Sequence, residues 1–186
     1  MKNTHSPFVI ACPVMKNNKN ISMIARSASC FNVDKLIITG QNKIDQHISR
    51  NIKLQIENHR SIIPVISKYK LDGYKIIGLE QSFGSTSLHK CKFVDVPTLL
   101  IVGNECRGID IEIMECVDEL VEINHDDYPH SLNVAVATSI FLYEYTKQLK
   151  RLSIHEDLDD LIDDYLDENN EGNDNDDFTD EGTISE

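Results

Sequence analysis

The sequence predicts an α/β protein, a single domain in which helices flank both faces of a mainly parallel β-sheet. Short, uninterrupted apolar runs such as Phe8–Cys12 are typical of strands that are covered on both faces. These runs alternate along the chain with segments whose apolar residues recur at helical spacing, and such alternation favours right-handed crossovers between parallel strands. A length of 186 residues with 40% hydrophobic residues is enough for one well-buried core and small for two.

Five strands are predicted, each an apolar run bounded by polar or small residues. In chain order they lie within residues 7–15, 33–39, 74–79, 97–102 and 120–123. The first helix is predicted from apolar residues at helical spacing, namely Ile21, Ile24, Ala25, Ala28 and Phe31. Asn20 is placed to cap its start. A further short helix is predicted over 61–70, with Ser61 as its cap and Gly73 as its terminator.

The last long helix, from Leu132 onward, carries more apolar surface than packing on one sheet requires. One stripe consists of Leu132, Val136, Ile140 and Tyr143, and a second stripe beside it consists of Val134, Ala137, Phe141 and Tyr145. Two interpretations fit this width. The helix is deeply buried, or it packs on its own sheet and also on a partner subunit.

The net charge of −13 is concentrated at the C-terminal end. Residues 156–186 hold 15 of the 31 acidic residues and no Lys or Arg, so residues 1–155 carry 18 basic against 16 acidic residues, a net of +2. This distribution predicts a folded domain over 1–152, an acidic amphipathic helix over 153–166 and a disordered acidic tail over 167–186. A slightly basic body is compatible with RNA binding, which the charge of the whole chain would disfavour.

Neither a membrane nor an oxidising compartment is indicated. No apolar stretch approaches the roughly 20 residues that span a bilayer, and no secretory signal pattern is present. The five cysteines show no paired spacing of the kind that disulfide frameworks or metal sites use. We therefore expect a cytoplasmic protein with reduced thiols.

Candidate functional residues follow the later strands. The first strand is followed neither by a glycine-rich dinucleotide fingerprint nor by a P-loop. Polar residues instead follow the later strands, namely Glu80, Gln81, Asn104, Glu105, the segment His125–His130, Ser131 and Asn133. Because ligands of open α/β sheets bind at the carboxyl ends of strands, these residues mark the candidate site. The two histidines lie near acidic residues, but a loop this polar is usually solvated, and no metal site is predicted.

Three segments resemble the motifs of the SpoU-type branch of the SPOUT RNA methyltransferases. They are Asn20–Ala28 continuing through Phe31 and Val33-Asp34, Leu99–Ile109 with Gly103-Asn104-Glu105 and Gly108, and Ile123 through Ser131-Leu132-Asn133-Val134 to Glu144. The resemblance covers residues 8–150. Ser22, Asn32 and Asp127 stand where the family usually has glycine, and Asn124-His125 stands where Pro-Met is common.

The resemblance implies a C-terminal trefoil knot, S-adenosyl-L-methionine as cofactor and methyl transfer to an RNA ribose 2′-hydroxyl. By motif match, the cofactor-binding residues would be Leu79, Gly103, Asn104, Gly108, Ile123, Ser131 and Leu132. Glycine at position 103 would let the backbone approach the ligand. The implied catalytic set is Arg26, Asn20, Glu105, Ser131 and Asn133.

For these polar residues, both a role in catalysis and a purely structural role stay open. A guanidinium is a permanent cation, so Arg26 would need a strong perturbation to act as a general base and none to position an RNA phosphate or ribose. Glu105 and Asn133 could orient Arg26 or the ribose. In the plainer alternative, Asn20 and Asn133 only cap helices. Glu105 then only pairs with Arg107 or Arg26.

The resemblance also implies two partners, an RNA and a second copy of the chain, because family members complete each active site with residues from two subunits. No DNA or membrane partner is expected. Transfer RNA is favoured over ribosomal RNA, because the chain begins almost directly on its first strand, without an extra RNA-binding domain. RNA contact is predicted at Arg26, Lys43, Arg50 and Lys53. The last three lie in a stretch with Ile44, Ile48, Ile52 and Ile56 at helical spacing, for which a solvated helix face is the alternative.

Two other classes of function stay open beside the enzyme. One is a catalytically weak relative that binds RNA or cofactor as an assembly factor, and the other is an interaction protein that uses its acidic amphipathic segment. The presence of Arg26, Glu105, Ser131 and Asn133 together favours the enzyme.

Overall fold

The apolar runs of the sequence form the strands of one seven-stranded sheet. In the computed structural model, which describes residues 5–126 and 130–149, the strands are β1 (Phe8–Cys12), β2 (Lys35–Thr39), β3 (Gln55–His59), β4 (Lys75–Leu79), β5 (Thr86–Ser87), β6 (Thr98–Val102) and β7 (Glu119–Glu122). The helices are α1 (Asn18–Cys30), α2 (Gln46–Asn51), α3 (Ile63–Leu71), α4 (Ile111–Met114) and α5 (134–149). The predicted acidic helix over 153–166 and tail over 167–186 lie outside the described residues. Within the described ranges, no helix is both long and apolar enough to cross a membrane.

The strand order is β3-β2-β1-β6-β4-β7-β5, and all six pairs of strands in the described residues are parallel. This confirms the predicted parallel α/β sheet. The five predicted strands correspond to β1, β2, β4, β6 and β7, whereas the two edge strands were not predicted. The edge strand β5 has only two residues, both polar, and so leaves no apolar run in the sequence. The trefoil knot stays a prediction.

The alternation of side chains along each strand divides the interior into two cores. In β1, Phe8, Ile10 and Cys12 belong to one core, and Val9 and Ala11 belong to the other. Residues of α1 and α5 cover the first core, and residues of α3 and α4 cover the second. Because both faces are covered, every residue of β1 is buried and its sequence is continuously apolar.

Helix α1 begins earlier than predicted, and this changes the role of Asn20. The cap is Asn17, whose side chain accepts a hydrogen bond from the N–H of Lys19. Asn20 lies buried in the first turn, so the alternative in which it only caps the helix is wrong. At the other end, Asn32 has a φ of 54°. That left-handed conformation favours glycine but is tolerated by Asn, so this departure from the family pattern preserves the turn.

The start of helix α3 also differs from the prediction. The helix begins at Ile63 rather than after a Ser61 cap, and its first turn contains Pro64, whose missing N–H is not needed there. Its end matches the prediction. Gly73 has a φ of 81° and donates its N–H to the carbonyl of Lys70.

The stretch with isoleucines at helical spacing forms only a short helix. Helix α2 ends at Asn51, and the chain then extends into β3, which pairs in parallel with β2. Ile52, Leu54 and Ile56 pack against the first core, and their spacing of two residues is that of a strand. The four-residue spacing of Ile52 and Ile56 fits a helix as well as a strand. The sequence pattern therefore predicted a longer helix, which does not form.

The two apolar stripes of α5 have different surroundings. Phe141 and Tyr145 of the second stripe are buried, whereas Val136 is 42%, Ile140 is 38% and Tyr143 is 58% exposed. The interpretation of α5 as a deeply buried helix is therefore wrong. An exposed apolar groove, here called the α1–α5 groove, is lined by Met23, Ala135, Val136, Ser139, Ile140 and Tyr143.

Candidate functional site

A pocket opens at the carboxyl edge of the sheet, where β4, β6 and β7 end and α5 begins. All seven predicted cofactor-binding residues line it, namely Leu79, Gly103, Asn104, Gly108, Ile123, Ser131 and Leu132. Its wall also contains Glu80, Gln81, Glu105, Cys106, Glu122, His125, Val134 and Ala137. The strand order explains this meeting: β6, β4 and β7 are neighbours, so the loops that follow them converge although they are distant in sequence.

The loop after β6 is a tight hairpin over 103–108. The N–H of Asn104 donates to the carbonyl of Gly108 at 2.8 Å, and the N–H of Gly108 donates to the carbonyl of Asn104 at 2.9 Å. The side-chain oxygen of Asn104 accepts hydrogen bonds from the N–H groups of Cys106 and Arg107, and its amide donates to the carbonyl of Val14. The polar side-chain atoms of Asn104 thus shape the hairpin and tie it to the loop after β1.

Glu80 is among the polar residues that mark the candidate site in the sequence, although it belongs to neither the implied cofactor-binding set nor the implied catalytic set. It holds this hairpin against the end of β4. Its Oε2 accepts a hydrogen bond from the N–H of Ile109 at 2.7 Å, and its Oε1 accepts one from the N–H of Gln81 at 3.2 Å. Burial raises the pKa of Glu80, and the two backbone N–H groups only partly offset that rise. Its position directly after an apolar strand marked it in the sequence, but its contact with the hairpin was not predicted.

The chain itself leaves little room for a side chain at either hairpin glycine. A Cβ at Gly103 would come within 3.0 Å of Glu80 Oε2 and 3.1 Å of Gly108 Cα. A Cβ at Gly108 would come within 2.8 Å of Glu80 Cδ. Approach of a ligand is therefore not the sole reason for glycine at position 103.

Asn20, Glu105 and Asn133 form a hydrogen-bonded group, here called the Asn–Glu–Asn cluster, that joins three segments distant in sequence. The Asn20 amide donates to Glu105 Oε1 at 2.9 Å, and the Asn133 amide donates to Asn20 Oδ1 at 3.1 Å. Asn133 Oδ1 also accepts from the N–H of Ala135 at 2.9 Å, which caps α5. Asn133 therefore caps α5, as the plainer alternative predicted, and also bonds to Asn20. Its predicted role in orienting Arg26 or the ribose stays a prediction.

Glu105 lies at the N-terminal end of α1. Its two carboxylate oxygens accept hydrogen bonds from the N–H groups of residues 16–17 at 2.9 and 3.1 Å. Burial is the largest influence and favours the neutral form. The N–H of Glu105 itself, these bonds and the Asn20 amide together outweigh burial and hold the pKa of Glu105 below its usual value. Arg107 was predicted as a possible ion-pair partner of Glu105. Its guanidinium nitrogen instead lies 3.9 Å from Asp110 Oδ2. Glu105 is thus a charged carboxylate in a fixed position at the edge of the pocket.

Arg26 lies apart from the pocket lining and is not oriented by Glu105. It is an exposed residue of α1, and within the described part of the chain its guanidinium has neither a hydrogen-bond nor an ion-pair partner. One helical turn separates it from Met23, which lines the α1–α5 groove. Arg26 therefore lies close to the groove rather than at the pocket of its own chain.

The segment after β7, where the sequence departs from the family pattern, is anchored by side-chain hydrogen bonds. The Asn124 amide donates to Glu122 Oε1 at 3.1 Å, and the hydroxyl of Ser87 donates to the Asn124 side-chain oxygen. Ile123 and His125, on either side of Asn124, line the pocket. No group of three or more His, Cys, Asp and Glu side chains suited to a metal ion occurs in the residues that the structure describes.

The pocket suits a ligand with an apolar planar part and a polar part. Leu79, Ile123 and Leu132 supply apolar side chains, and the glycines at 103 and 108 leave hairpin backbone uncovered by side chains. A parallel sheet with such a pocket at the carboxyl ends of its strands, and a polar cluster at the pocket edge, is the arrangement in which α/β proteins bind small ligands such as nucleotide cofactors.

The chain belongs to the SpoU rRNA methylase family, whose model matches residues 7–143. This confirms the predicted family, one of S-adenosylmethionine-dependent RNA methyltransferases. A relative from Aquifex aeolicus (strain VF5), a tRNA (guanosine(18)-2′-O)-methyltransferase, is 30% identical over 147 residues, which cover 76% of this chain and 69% of that protein. The chain spans 10% of the length of a second relative, the tRNA (guanosine(18)-2′-O)-methyltransferase TARBP1 of Mus musculus, to which it is 24% identical over 151 residues, 77% of this chain.

Solved structures of relatives share the fold. The A. aeolicus TrmH/SpoU tRNA modifying enzyme matches with a TM-score of 0.72 and 28% identity, over 83% of this chain and 81% of that chain. The SpoU methyltransferase AviRb from Streptomyces viridochromogenes, solved in complex with the cofactor AdoMet, matches with a TM-score of 0.67 and 23% identity, over 78% of this chain and 59% of that chain. At 23% identity, the likeness to AviRb concerns the fold alone.

Proposed function

We propose that this chain is an S-adenosylmethionine-dependent RNA ribose 2′-O-methyltransferase that acts on a transfer RNA in the cytoplasm. The proposal depends on one observation: Glu105 belongs both to the pocket wall and to the Asn–Glu–Asn cluster, so a cofactor and a polar substrate group would meet there. The function of the A. aeolicus relative supports transfer RNA as the substrate. Five free cysteines suit a reducing compartment.

The residues of this chain would bind and orient the two reactants. Leu79, Ile123 and Leu132 would enclose the adenine, and the backbone of hairpin 103–108 would bind polar groups of the cofactor. When bound, S-adenosylmethionine supplies a methyl group activated by a sulfonium. The Asn–Glu–Asn cluster would hold the ribose with its 2′-hydroxyl toward the pocket, because alignment is the main requirement of an in-line displacement at carbon.

A homodimer would bring Arg26 to a pocket. The α1–α5 groove exposes Val136, Ile140 and Tyr143, an apolar face that a second copy of α1 and α5 would cover. Because Arg26 lies one turn from this groove, it would approach the pocket of the other subunit. There its permanent charge would position the ribose or an adjacent phosphate.

RNA contact is proposed at Lys43, Arg50 and Lys53, in addition to Arg26. All three are exposed on the segment between β2 and β3, and none is paired with an acidic side chain within the described residues. The backbone N–H of Lys43 donates to Asn18 Oδ1 at the start of α1. This segment therefore adjoins the loop that also binds Glu105.

The deciding experiment measures transfer of labelled methyl from S-adenosylmethionine to purified transfer RNA and, separately, to ribosomal RNA. We expect a 2′-O-methylated nucleotide in transfer RNA. Arg26→Ala should abolish transfer while the cofactor Kd stays within a few-fold of the wild-type value, and Arg26→Lys should show whether a charge alone suffices. A wild-type protein that binds RNA and cofactor but transfers no methyl group would instead be an RNA-binding or assembly factor.

A mixing experiment tests whether Arg26 acts in the other subunit. Arg26→Ala and Glu105→Ala are expected to be inactive alone. If each site combines one subunit's pocket with Arg26 of the partner subunit, a mixed dimer contains one intact site, and an equal mixture recovers about a quarter of the wild-type activity. Recovery should disappear with Ile140→Glu, which places a charge in the groove. An inactive mixture in which mixed dimers are shown to form would place Arg26 at its own pocket.

A further inference from the structure

The turn between β4 and β5 presents Phe83 to solvent beside the pocket. The side chain of Phe83 is fully exposed. The turn lies next to two residues that line the pocket: Gln81 precedes it in the chain, and Glu122 is hydrogen-bonded to its Ser85 side chain. Among the large exposed apolar side chains of the described residues, one other is aromatic: Tyr143, which belongs to the α1–α5 groove.

Hydrogen bonds close this turn and attach it to the sheet. The N–H of Ser85 donates to the carbonyl of Ser82 at 3.2 Å, and Ser85 Oγ lies 2.7 Å from the same carbonyl oxygen. Ser85 Oγ also lies 2.9 Å from Glu122 Oε2, and β5 then pairs with β7. Gly84 supplies the φ of 88° that the turn needs. The backbone of Phe83 thus occupies a defined position, although its ring packs against no side chain among the described residues.

We propose that Phe83 stacks on an unpaired base of the RNA substrate, next to the nucleotide whose ribose enters the pocket. This inference rests on the proposed function, because it takes RNA as the substrate. A single exposed apolar side chain is ordinary on a protein surface. An exposed aromatic ring on a fixed turn, two residues from a residue that lines the pocket, has a specific use where a ribose must enter. Nucleotides leave the helical stack in loops and restack on aromatic side chains.

The charge around the pocket supports a base rather than a phosphate as the contact of Phe83. Glu80 and Glu122 line the wall on this side and would repel a phosphate group. The exposed cations Lys43 and Lys53 lie beyond β2, toward the opposite end of the strand order. The backbone of the RNA would therefore follow the β2 side, with a base turned toward Phe83.

Four variants test the proposal by steady-state methylation of transfer RNA. Phe83→Ala should raise the KM for RNA about 5- to 150-fold, as expected from loss of one stacked base, and should leave the cofactor Kd unchanged. Phe83→Trp should retain the wild-type KM, and Phe83→Leu should resemble Phe83→Ala, because leucine is apolar but cannot stack. Leu71→Ala is the matched control, since Leu71 is also an almost fully exposed apolar residue, at the end of α3 and outside the pocket lining.

A binding measurement identifies the base directly. The wild-type protein should bind a short single-stranded oligoadenylate more tightly than an abasic oligomer of the same length, and Phe83→Ala should remove that difference. An unchanged KM in Phe83→Ala, a wild-type KM in Phe83→Leu, or a changed oligomeric state in Phe83→Ala would each overturn the stacking role. If the wild-type protein neither binds RNA nor transfers a methyl group, the proposed function itself fails.

Discussion

Replacing Gly108 by alanine should cost more stability than the same change at another glycine with positive φ, because of Glu80. Gly108 has a φ of 66° and Gly73 has a φ of 81°, and alanine in this region costs about 1 kcal/mol. An added Cβ meets nothing within 4 Å at Gly73 but would lie 2.8 Å from Glu80 Cδ at Gly108. The carboxylate must then move and leave the N–H of buried Ile109 without its acceptor, which adds about 1–3 kcal/mol.

The expected loss of unfolding free energy is about 2–4 kcal/mol for Gly108→Ala and about 1 kcal/mol for Gly73→Ala. Urea unfolding measures both, as a shift of the midpoint at an unchanged m-value. In a protein that already carries Glu80→Ala, the further change Gly108→Ala should cost only about 1 kcal/mol, because the contact no longer exists. Equal losses for the two glycines, or a loss at Gly108 that Glu80→Ala does not relieve, would refute the reasoning.

Four further predictions concern the site. Gly103→Val should weaken cofactor binding and stability together, because its Cβ would meet Gly108 Cα at 3.1 Å; unchanged affinity in calorimetry would remove Gly103 from the site. Asn133→Ala should lose about 1 kcal/mol of stability as well as methyl transfer, whereas Asn133→Asp keeps the cap and should lose only transfer; equal stability losses would contradict the capping role. Replacing Lys43, Arg50 and Lys53 together by Ala should reduce the slope of log RNA affinity against log salt concentration, by at most about one unit per lost phosphate contact. An equal reduction when Lys68, Lys90 and Lys92 are replaced would show that the first three residues form no specific RNA contact. The pKa of Glu105 is lowered on folding, so its stabilising effect is present above the ordinary pKa of 4.5 and is lost as the pH falls through the lower folded value. The pKa of Glu80 is raised on folding, so its effect has the opposite sign and favours the folded state in acid. The pH dependence of unfolding in Glu105→Gln and Glu80→Gln checks both, and parallel profiles for the two variants would contradict them.

The edge of the sheet that holds the pocket could be predicted from polar residues that follow apolar runs, because parallel strands place such ends at one edge. The lining residues Leu79, Gly103 and Ile123 were implied by the motif resemblance. The contacts within the pocket could not be predicted. Glu80 follows an apolar run in the same way, yet its contact with hairpin 103–108 depends on β4 and β6 being neighbours. Strand order is set by packing between segments distant in sequence, and no local pattern encodes it.

The helix starts show a second limit of local patterns. Asn17 and Asn20 are both good capping residues by sequence, and the choice between them depends on contacts with Glu105, 85 residues further along the chain from Asn20. The isoleucines of 44–56 fit both the helical period and the strand period. Residues 55–59 form a strand because they pair with the edge of β2.

The sequence by itself determined the fold class and the edge of the sheet that holds the pocket, because both depend on short segments whose apolar and polar residues have local physical effects. The family followed from the resemblance of three motifs. Only the tertiary structure decided which groups meet: Glu80 with Ile109, Glu105 with Asn20, and Asn133 with Asn20. It also decided which stripe of α5 stays exposed, and it left Arg26 beside an uncovered groove instead of its own pocket. The reason is physical: burial and hydrogen bonding of polar groups depend on neighbours in space, and those neighbours come from anywhere along the chain.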